Sequence, residues 1–241
     1  SRFVIEKDID ENRMFYVSYT KGYKPGGSNL TYGRENVVAP IVVLPTFEEE
    51  VVDAYEFGLK ADLAGGRTRI NSAVFFYNYE GLQYQATDPE LFQGGVSNIP
   101  ESEIYGAEVE LSTYVTDSMI LDANLSWIET EITADHFALD NVQSDIATNA
   151  LLAQGVNQFS DQVQIARAAE ITNVKGNELA KTPNFTANLA LTWEGYVENW
   201  GELSNSLQYV YRGDFKHRMF NNPLTDMVPD YEVLDFVLGF T

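Results

Sequence analysis

Tyr105-Gly106-Ala107-Glu108-Val109-Glu110-Leu111-Ser112-Thr113-Tyr114-Val115 alternates along its whole length. Tyr105, Ala107, Val109, Leu111, Thr113 and Val115 take the odd positions, and Glu108, Glu110 and Ser112 lie between them. Successive side chains of a β-strand point to opposite faces, so this stretch is a strand with one apolar and one charged face. The same period recurs on both sides of it. Leu121, Ala123, Leu125 and Trp127 alternate with Asp122, Asn124 and Ser126. Phe185, Ala187, Leu189, Leu191 and Trp193 alternate with Asn184, Thr186, Asn188, Thr192 and Glu194. Tyr55, Phe57, Leu59, Ala61 and Leu63 alternate with Glu56, Lys60 and Asp62. Weaker strands are read at Arg13–Lys21, Arg67–Tyr84, Glu202–Phe215 and Asp230–Thr241, and Ser1–Glu6 reads as the end of a strand that began earlier.

The expected fold is therefore all-β: roughly eight strands, many of about 10 to 15 residues. Strands of soluble proteins run nearer 5 or 6 residues, whereas strands crossing a tilted membrane barrel need about 9 to 11. The connections alternate in length. Asp8–Asn12, Ala64–Arg67, Thr116–Ser118 and Glu198–Gly201 are short and rich in turn formers, while Gly22–Glu50, Gln85–Glu101, Thr133–Ala180 and Arg212–Pro229 are long. Short turns on one side and long loops on the other mark an outer-membrane barrel, with the turns in the periplasm and the loops outside. A soluble sandwich or solenoid also alternates faces, but it has no need of two such different loop sets. Aromatics gather where interfaces are expected: Tyr19, Tyr23, Phe75, Phe76, Tyr77, Tyr79, Trp127, Tyr209 and Tyr211 near the tops of rising strands, and Tyr55, Phe57, Tyr105, Phe185 and Tyr231 at the starts of descending ones. Within the longest loop, Asp145–Leu152 and Asp161–Glu170 are Ala-rich and read as short helices.

Composition agrees. The 241 residues hold 36 acidic and 15 basic side chains, a net charge of -21, which argues against nucleic-acid binding. A hydrophobic share of 44% and an aromatic share of 13% exclude a disordered acidic chain. There is no cysteine, so neither a disulfide framework nor a thiolate metal site exists.

Several segments together resemble the barrel of TonB-dependent receptors, the active transporters of bacterial outer membranes. Phe15-Tyr16-Val17-Ser18-Tyr19-Thr20-Lys21-Gly22-Tyr23-Lys24-Pro25-Gly26-Gly27 resembles the family's strand leading into a Gly-Tyr/Phe-x-x-Gly-Gly bend. Tyr55-Glu56-Phe57-Gly58-Leu59-Lys60, the arm Ala73–Gln83, the Gly-x-Glu-x-Glu strand at Gly106–Glu110, and Gly176 through Pro183 follow in the family's order. The resemblance implies a partial receptor barrel over residues 1–241, an arc of a barrel of about 22 strands. It also implies a plug domain and a TonB-engaging segment, neither visible in this sequence. The implied activity is outer-membrane uptake of a scarce bulky nutrient such as a ferric siderophore, energised through the TonB complex, in a Gram-negative bacterium. No catalysis, cofactor or nucleic acid is implied; outer-membrane lipid and lipopolysaccharide are the expected surroundings. The alternative is a passive porin or small structural barrel.

The polar faces place Glu56, Lys60, Asp62, Glu108, Glu110, Asp122, Asn124 and Asn188 toward a lumen. Acids outnumber bases among them, and unpaired carboxylates are costly to bury, which favours a wide wet lumen. Arg212, Lys216, His217 and Arg218 form a basic cluster in an outer loop and are the candidate ligand contacts. His136 and His217 are the two histidines, each in a long loop. Glu48-Glu49-Glu50 lacks the spaced ligands and glycine of a calcium loop, so no metal site is read there.

Overall fold

The computed structural model describes residues 1–30, 45–87, 94–199 and 201–240. Parts of the first two long loops, Trp200 and Thr241 lie outside the described residues. Nine long strands form one sheet: β1 (Arg2–Asp10), β2 (Arg13–Lys24), β3 (Glu50–Leu63), β4 (Thr68–Thr87), β5 (Gly94–Thr116), β6 (Met119–Ile132), β7 (Phe185–Val197), β8 (Gly201–Arg212) and β9 (Tyr231–Phe240). Their spatial order is their chain order, every pairing is antiparallel, and β1 and β9 form the two edges. The expected eight strands become nine because β1 is a full strand: Arg2 to Asp8 pair one by one with Thr20 to Met14. Its alternation is blurred by Glu6, Lys7 and Asp8, so it read as a strand end.

Cross-strand pairs share a face, so the register assigns every side chain to one side of the sheet. Lys60, Asn71, Glu110, Asn124 and Asn188 form one continuous row. Asp62, Arg69, Ser112 and Asp122 form the next, and Glu108 pairs with Ser126 one row away on the same side. Glu56 lies two positions from Gly58 and four from Lys60, so all eight predicted polar residues share one face. The opposite face carries Tyr19, Tyr55, Phe76 and Tyr105 in one row, with Phe57, Val74, Leu125, Trp127, Leu207, Phe236 and Phe240 elsewhere on it, all exposed or half-exposed.

Among the described residues, nothing folds over this apolar face. The accessible surface is 14786 Å². A compact monomer of this mass would expose roughly 11,000 Å². An open sheet that does not wrap round a core accounts for the excess.

Two expectations about aromatics need correction. Phe75 pairs with Glu56 and Gly106, so it belongs to the polar face, as do Tyr77 and Tyr79 by the period of two. Tyr231 pairs with Arg212 and lies there too. Only the register reveals this, because Phe75-Phe76-Tyr77 is apolar at every position. On the polar face these rings lie flat on the wall. A Cβ on Gly58 would fall 2.2 Å from the Tyr16 ring, and one on Gly106 would fall 2.8 Å from Phe75 and 2.3 Å from the Trp127 carbonyl oxygen. Glycine at both positions is the seat for a ring.

The long loops also differ from expectation. β4 continues to Thr87 and β5 starts at Gly94, both inside the expected Gln85–Glu101 loop, with Gln85 and Val96 already paired; the two strands run for 20 and 23 residues. At about 3.3 Å per residue they stand roughly 30 Å above what a membrane crossing needs. The two expected helices are present as α1 (Asn141–Leu152), capped by the Asp140 carboxylate on the Val142 and Gln143 amides, and α2 (Asp161–Ala168). The apolar core gathers here rather than in the wall. Ile99, Ile132 and Val174 are fully or almost fully buried, packed by Leu82, Tyr84, Leu179, Met219 and Phe220.

Gly106→Val should stop this wall from forming, because the new side chain meets a backbone carbonyl that cannot move without breaking the β5–β6 ladder. Overpacking of this kind costs about 1–3 kcal/mol or more. The folded fraction, read as the heat-modifiable band on electrophoresis, should fall sharply, whereas Gly94→Ala, whose nearest neighbour is 3.9 Å away, should leave it unchanged.

Candidate functional site

The polar face has a vertical order. Its lower rows are charged and partly paired: Arg69 Nε donates to Asp62 at 2.7 Å, and Asn71 Nδ2 to Glu110 at 3.2 Å. In the middle, the Tyr16 hydroxyl donates to Glu56 at 2.5 Å while Lys60 sits 5.8 Å from the same ring. Above it, Phe75 and Tyr77 stack at 4.9 Å, below the loop layer. The face is thus acidic below and aromatic above, and the sequence reading recognised only the acidic part.

The loop layer is tied by named contacts. Asn29 exchanges two hydrogen bonds of 2.8 Å with the Val96 backbone. Asn98 donates to the Glu48 carbonyl and accepts from the Glu48 amide, and Gln83 Nε2 donates to the Pro25 and Glu48 carbonyls, each at 3.0 Å. A Cβ on Gly81, which has φ +67°, would fall 2.6 Å from the Glu49 carbonyl oxygen, so only glycine fits here. Glu48 and Glu50 are thereby used in docking this loop; among the described residues no cluster of metal-ligating side chains occurs.

Of the predicted basic cluster, Arg218 is committed to structure. Its Nη1 donates to Asp140 at 2.6 Å, its Nε to Asp226 at 2.7 Å and its Nη2 to Thr225 at 3.1 Å. Asp226 is fully buried and Asp140 almost so. Burial alone would lower the Arg218 pKa, but the bonds to Asp140 and Asp226 outweigh it and raise the pKa above the ordinary value. One guanidinium therefore holds carboxylates from two loops, and Asp140 caps α1 at the same time. The other three are arranged differently. Arg212 lies 4.4 Å from the Phe215 ring centroid, Lys216 approaches the Met227 sulfur at 3.5 Å, and the His217 side chain is exposed while its amide donates to the Asp226 carbonyl.

His136 is not a free loop histidine. Its Nε2 shares a hydrogen bond of 2.8 Å with the Tyr84 hydroxyl, and the rings meet edge to face at 5.3 Å. Burial pushes its pKa below the ordinary histidine value, so the ring is neutral at pH 7. No local motif marks either Asp140–Arg218 or Tyr84–His136; the partners are 78 and 52 residues apart.

An open antiparallel wall with one bare apolar face, one polar face, short turns below and a packed loop layer above defines an outer-membrane β-barrel protein of the receptor type. The family profile "TonB dependent receptor-like, beta-barrel" matches residues 7–241, and the chain belongs to that family. Its members are receptors and transporters, β-barrels of the Gram-negative outer membrane, and the antiparallel wall described here is of that kind. Similar proteins include the "Probable TonB-dependent siderophore receptor PiuA" of Acinetobacter baumannii, 25% identical over 123 residues, which are 51% of this chain and 16% of that protein. The crystal structure of the ferric yersiniabactin uptake receptor FyuA from Yersinia pestis matches with TM-score 0.66 and 17% identity, covering 99% of this chain and 29% of that one. That of PiuA from Acinetobacter baumannii matches with TM-score 0.65 and 19% identity, again over 99% and 29%. The chain thus spans less than a third of the length of these relatives, and the solved structures establish its fold.

Arg218→Ala should leave two buried carboxylates without a cation. Breaking a buried pair costs about 3–5 kcal/mol, so the 212–230 loop should open about a hundredfold more often or beyond. Hydrogen exchange at the His217 and Asn222 amides, both bonded to Asp226, should accelerate accordingly while the wall strands stay protected.

Proposed function

We propose that this chain forms part of the barrel of a receptor that takes up a ferric siderophore or a comparably scarce, bulky nutrient across the outer membrane, energised by the TonB complex through a segment of the whole receptor. One observation carries the reading. Aromatic rings on the polar face fold flat over Gly58 and Gly106, and Glu108 lies beside them exposed, so the wall is built to face a wet space and does not fill it. A narrow barrel plugged by its own side chains would send those rings inward. Glu56, Lys60, Asp62, Glu108, Glu110, Asp122, Asn124 and Asn188 are then the lumen lining, available to hydrogen-bond a plug domain.

The edges of β1 and β9 need partners, because unpaired strand edges are not tolerated in lipid, and the further strands of a large barrel supply them. Ligand contact falls to the aromatic upper wall and to Arg212, Lys216 and His217, while Arg218 keeps the loop in place. Lipid and lipopolysaccharide meet the opposite face. No bond is made or broken, so the activity is transport and not catalysis.

Two experiments bear on this. In the full receptor, Leu125→Arg should impair assembly, since a cation on the lipid face near the midplane costs about 2–4 kcal/mol, and the neighbouring Asn124→Arg should assemble normally. Equal behaviour of the two would overturn the assignment of faces. Uptake of iron-55 supplied as ferric siderophores should disappear in cells lacking TonB; uptake that persists would count against energised transport.

A further inference from the structure

The third long loop meets β4 through a short neck, and one histidine sits at the contact. Phe137–Leu139 and Ile171–Asn173 pair as two antiparallel strands, and α1 and α2 lie between them in the chain. His136 enters this neck with both sides of its peptide held. Its amide donates to Asn173 Oδ1 at 3.1 Å, and its carbonyl accepts from the Val174 amide at 2.9 Å. The backbone thus sets the half-buried ring against Tyr84, at a hydrogen bond of 2.8 Å and an edge-to-face contact of 5.3 Å. Apolar side chains surround the pair. Tyr84 and Ile171 pack on Ala86, and Tyr84 also packs on Ile99, Ile132 and Val174.

The charged groups of the elements that meet here are engaged elsewhere. In the neck, Asp135 accepts from Asn173 Nδ2 at 2.9 Å and lies 3.9 Å from Lys175 Nζ. From β4 the titratable group facing the ring is Tyr84, which burial keeps protonated, its pKa pushed up to about 12. From the fourth long loop, Arg218 reaches Asp140 and Asp226. Among the described residues no carboxylate is bonded to the His136 ring, and burial is what lowers its pKa.

We propose that His136 makes the docking of this neck on β4 sensitive to acid: when the imidazole takes up a proton, the neck leaves Tyr84 and the flap of α1 and α2 loosens. The reason is charge burial. An imidazolium against Tyr84 and its apolar neighbours has no carboxylate to pair with, and it gains water by leaving. The sign follows from the lowered pKa. The docked state has its full stability where the ring is neutral in both forms, above the ordinary histidine value of about 6.5. As pH falls through that value the undocked form binds the proton first, so docking weakens. The meaning of this response for uptake rests on the transport reading above; the proton coupling does not.

Hydrogen exchange in the full receptor, corrected for the pH dependence of chemical exchange, tests it at the Val174 amide, which donates to the His136 carbonyl. Opening should be several-fold more frequent at pH 5.5 than at pH 7.5, with about tenfold as the ceiling for one proton. His136→Phe keeps a ring in the seat and cannot be protonated, so it should abolish this difference. His217→Gln, at the exposed histidine, should retain it. Equal wild-type exchange at the two pH values overturns the proposal, as does an undiminished difference in His136→Phe. Should His136→Phe leave Val174 unprotected at both values, the wild-type profile decides. Opening that sets in near pH 6.5 supports the proposal, and opening that sets in only below about pH 5, where carboxylates take up protons, overturns it. These rates are read without ligand or TonB, so failure of the transport reading would show in iron uptake alone.

Discussion

In lipid, every peptide N–H and C=O must be paired within the protein, and this condition governs the whole chain. It explains why β2 to β8 are each paired on both sides, and why register is kept over twelve or more consecutive residue pairs between β3 and β4. It also explains where irregularity is allowed. The slips in register occur at Asp8–Asp10 and Tyr114–Thr116, beside the short turns, where water reaches the backbone. With hydrogen bonding settled by the ladder, side chains on the apolar face need only match the hydrocarbon phase. Among the described residues, that face therefore packs against nothing.

The polar face follows a different rule. Its charges sit in rows that offset one another in part, as Asp62 does with Arg69, and its rings are kept low by glycine. Such a wall is thin. Its stability does not depend on a core, since among the described residues most of the buried apolar side chains lie outside it, in the loop layer. The molecule is thus inverted relative to a soluble domain: hydrogen bonding holds the centre, and hydrophobic burial holds the top.

That burial turns the loops into structure. The β4–β5 hairpin projects as a post, and the third long loop (the flap that carries α1 and α2) and the fourth long loop pack beside it through Leu82, Tyr84, Leu179, Met219 and Phe220. Arg218 locks flap to loop by satisfying two buried carboxylates at once, an arrangement that is costly to disturb because neither Asp140 nor Asp226 can reach water.

The sequence by itself determined the strands, their faces and the alternation of turns and loops, because a period of two and turn chemistry are local and repeat along the chain. It was enough to place Glu108, Glu110 and Asn124 on one side and Leu125 and Trp127 on the other. Three things needed the tertiary structure. Where apolar residues run without a break, as at Phe75-Phe76-Tyr77, alternation carries no sign and only cross-strand register assigns the face. Where charge interrupts the pattern, as at Glu6-Lys7-Asp8, pairing with β2 was needed to show a full strand. The roles of Arg218 and His136 depend on partners far away in the chain, Asp140 and Tyr84, and spacing along a sequence does not record which loops meet in space. Arg218 reads as a free cation in its own loop, and it became a half-buried lock only because folding brought a second loop's carboxylate within 2.6 Å of it.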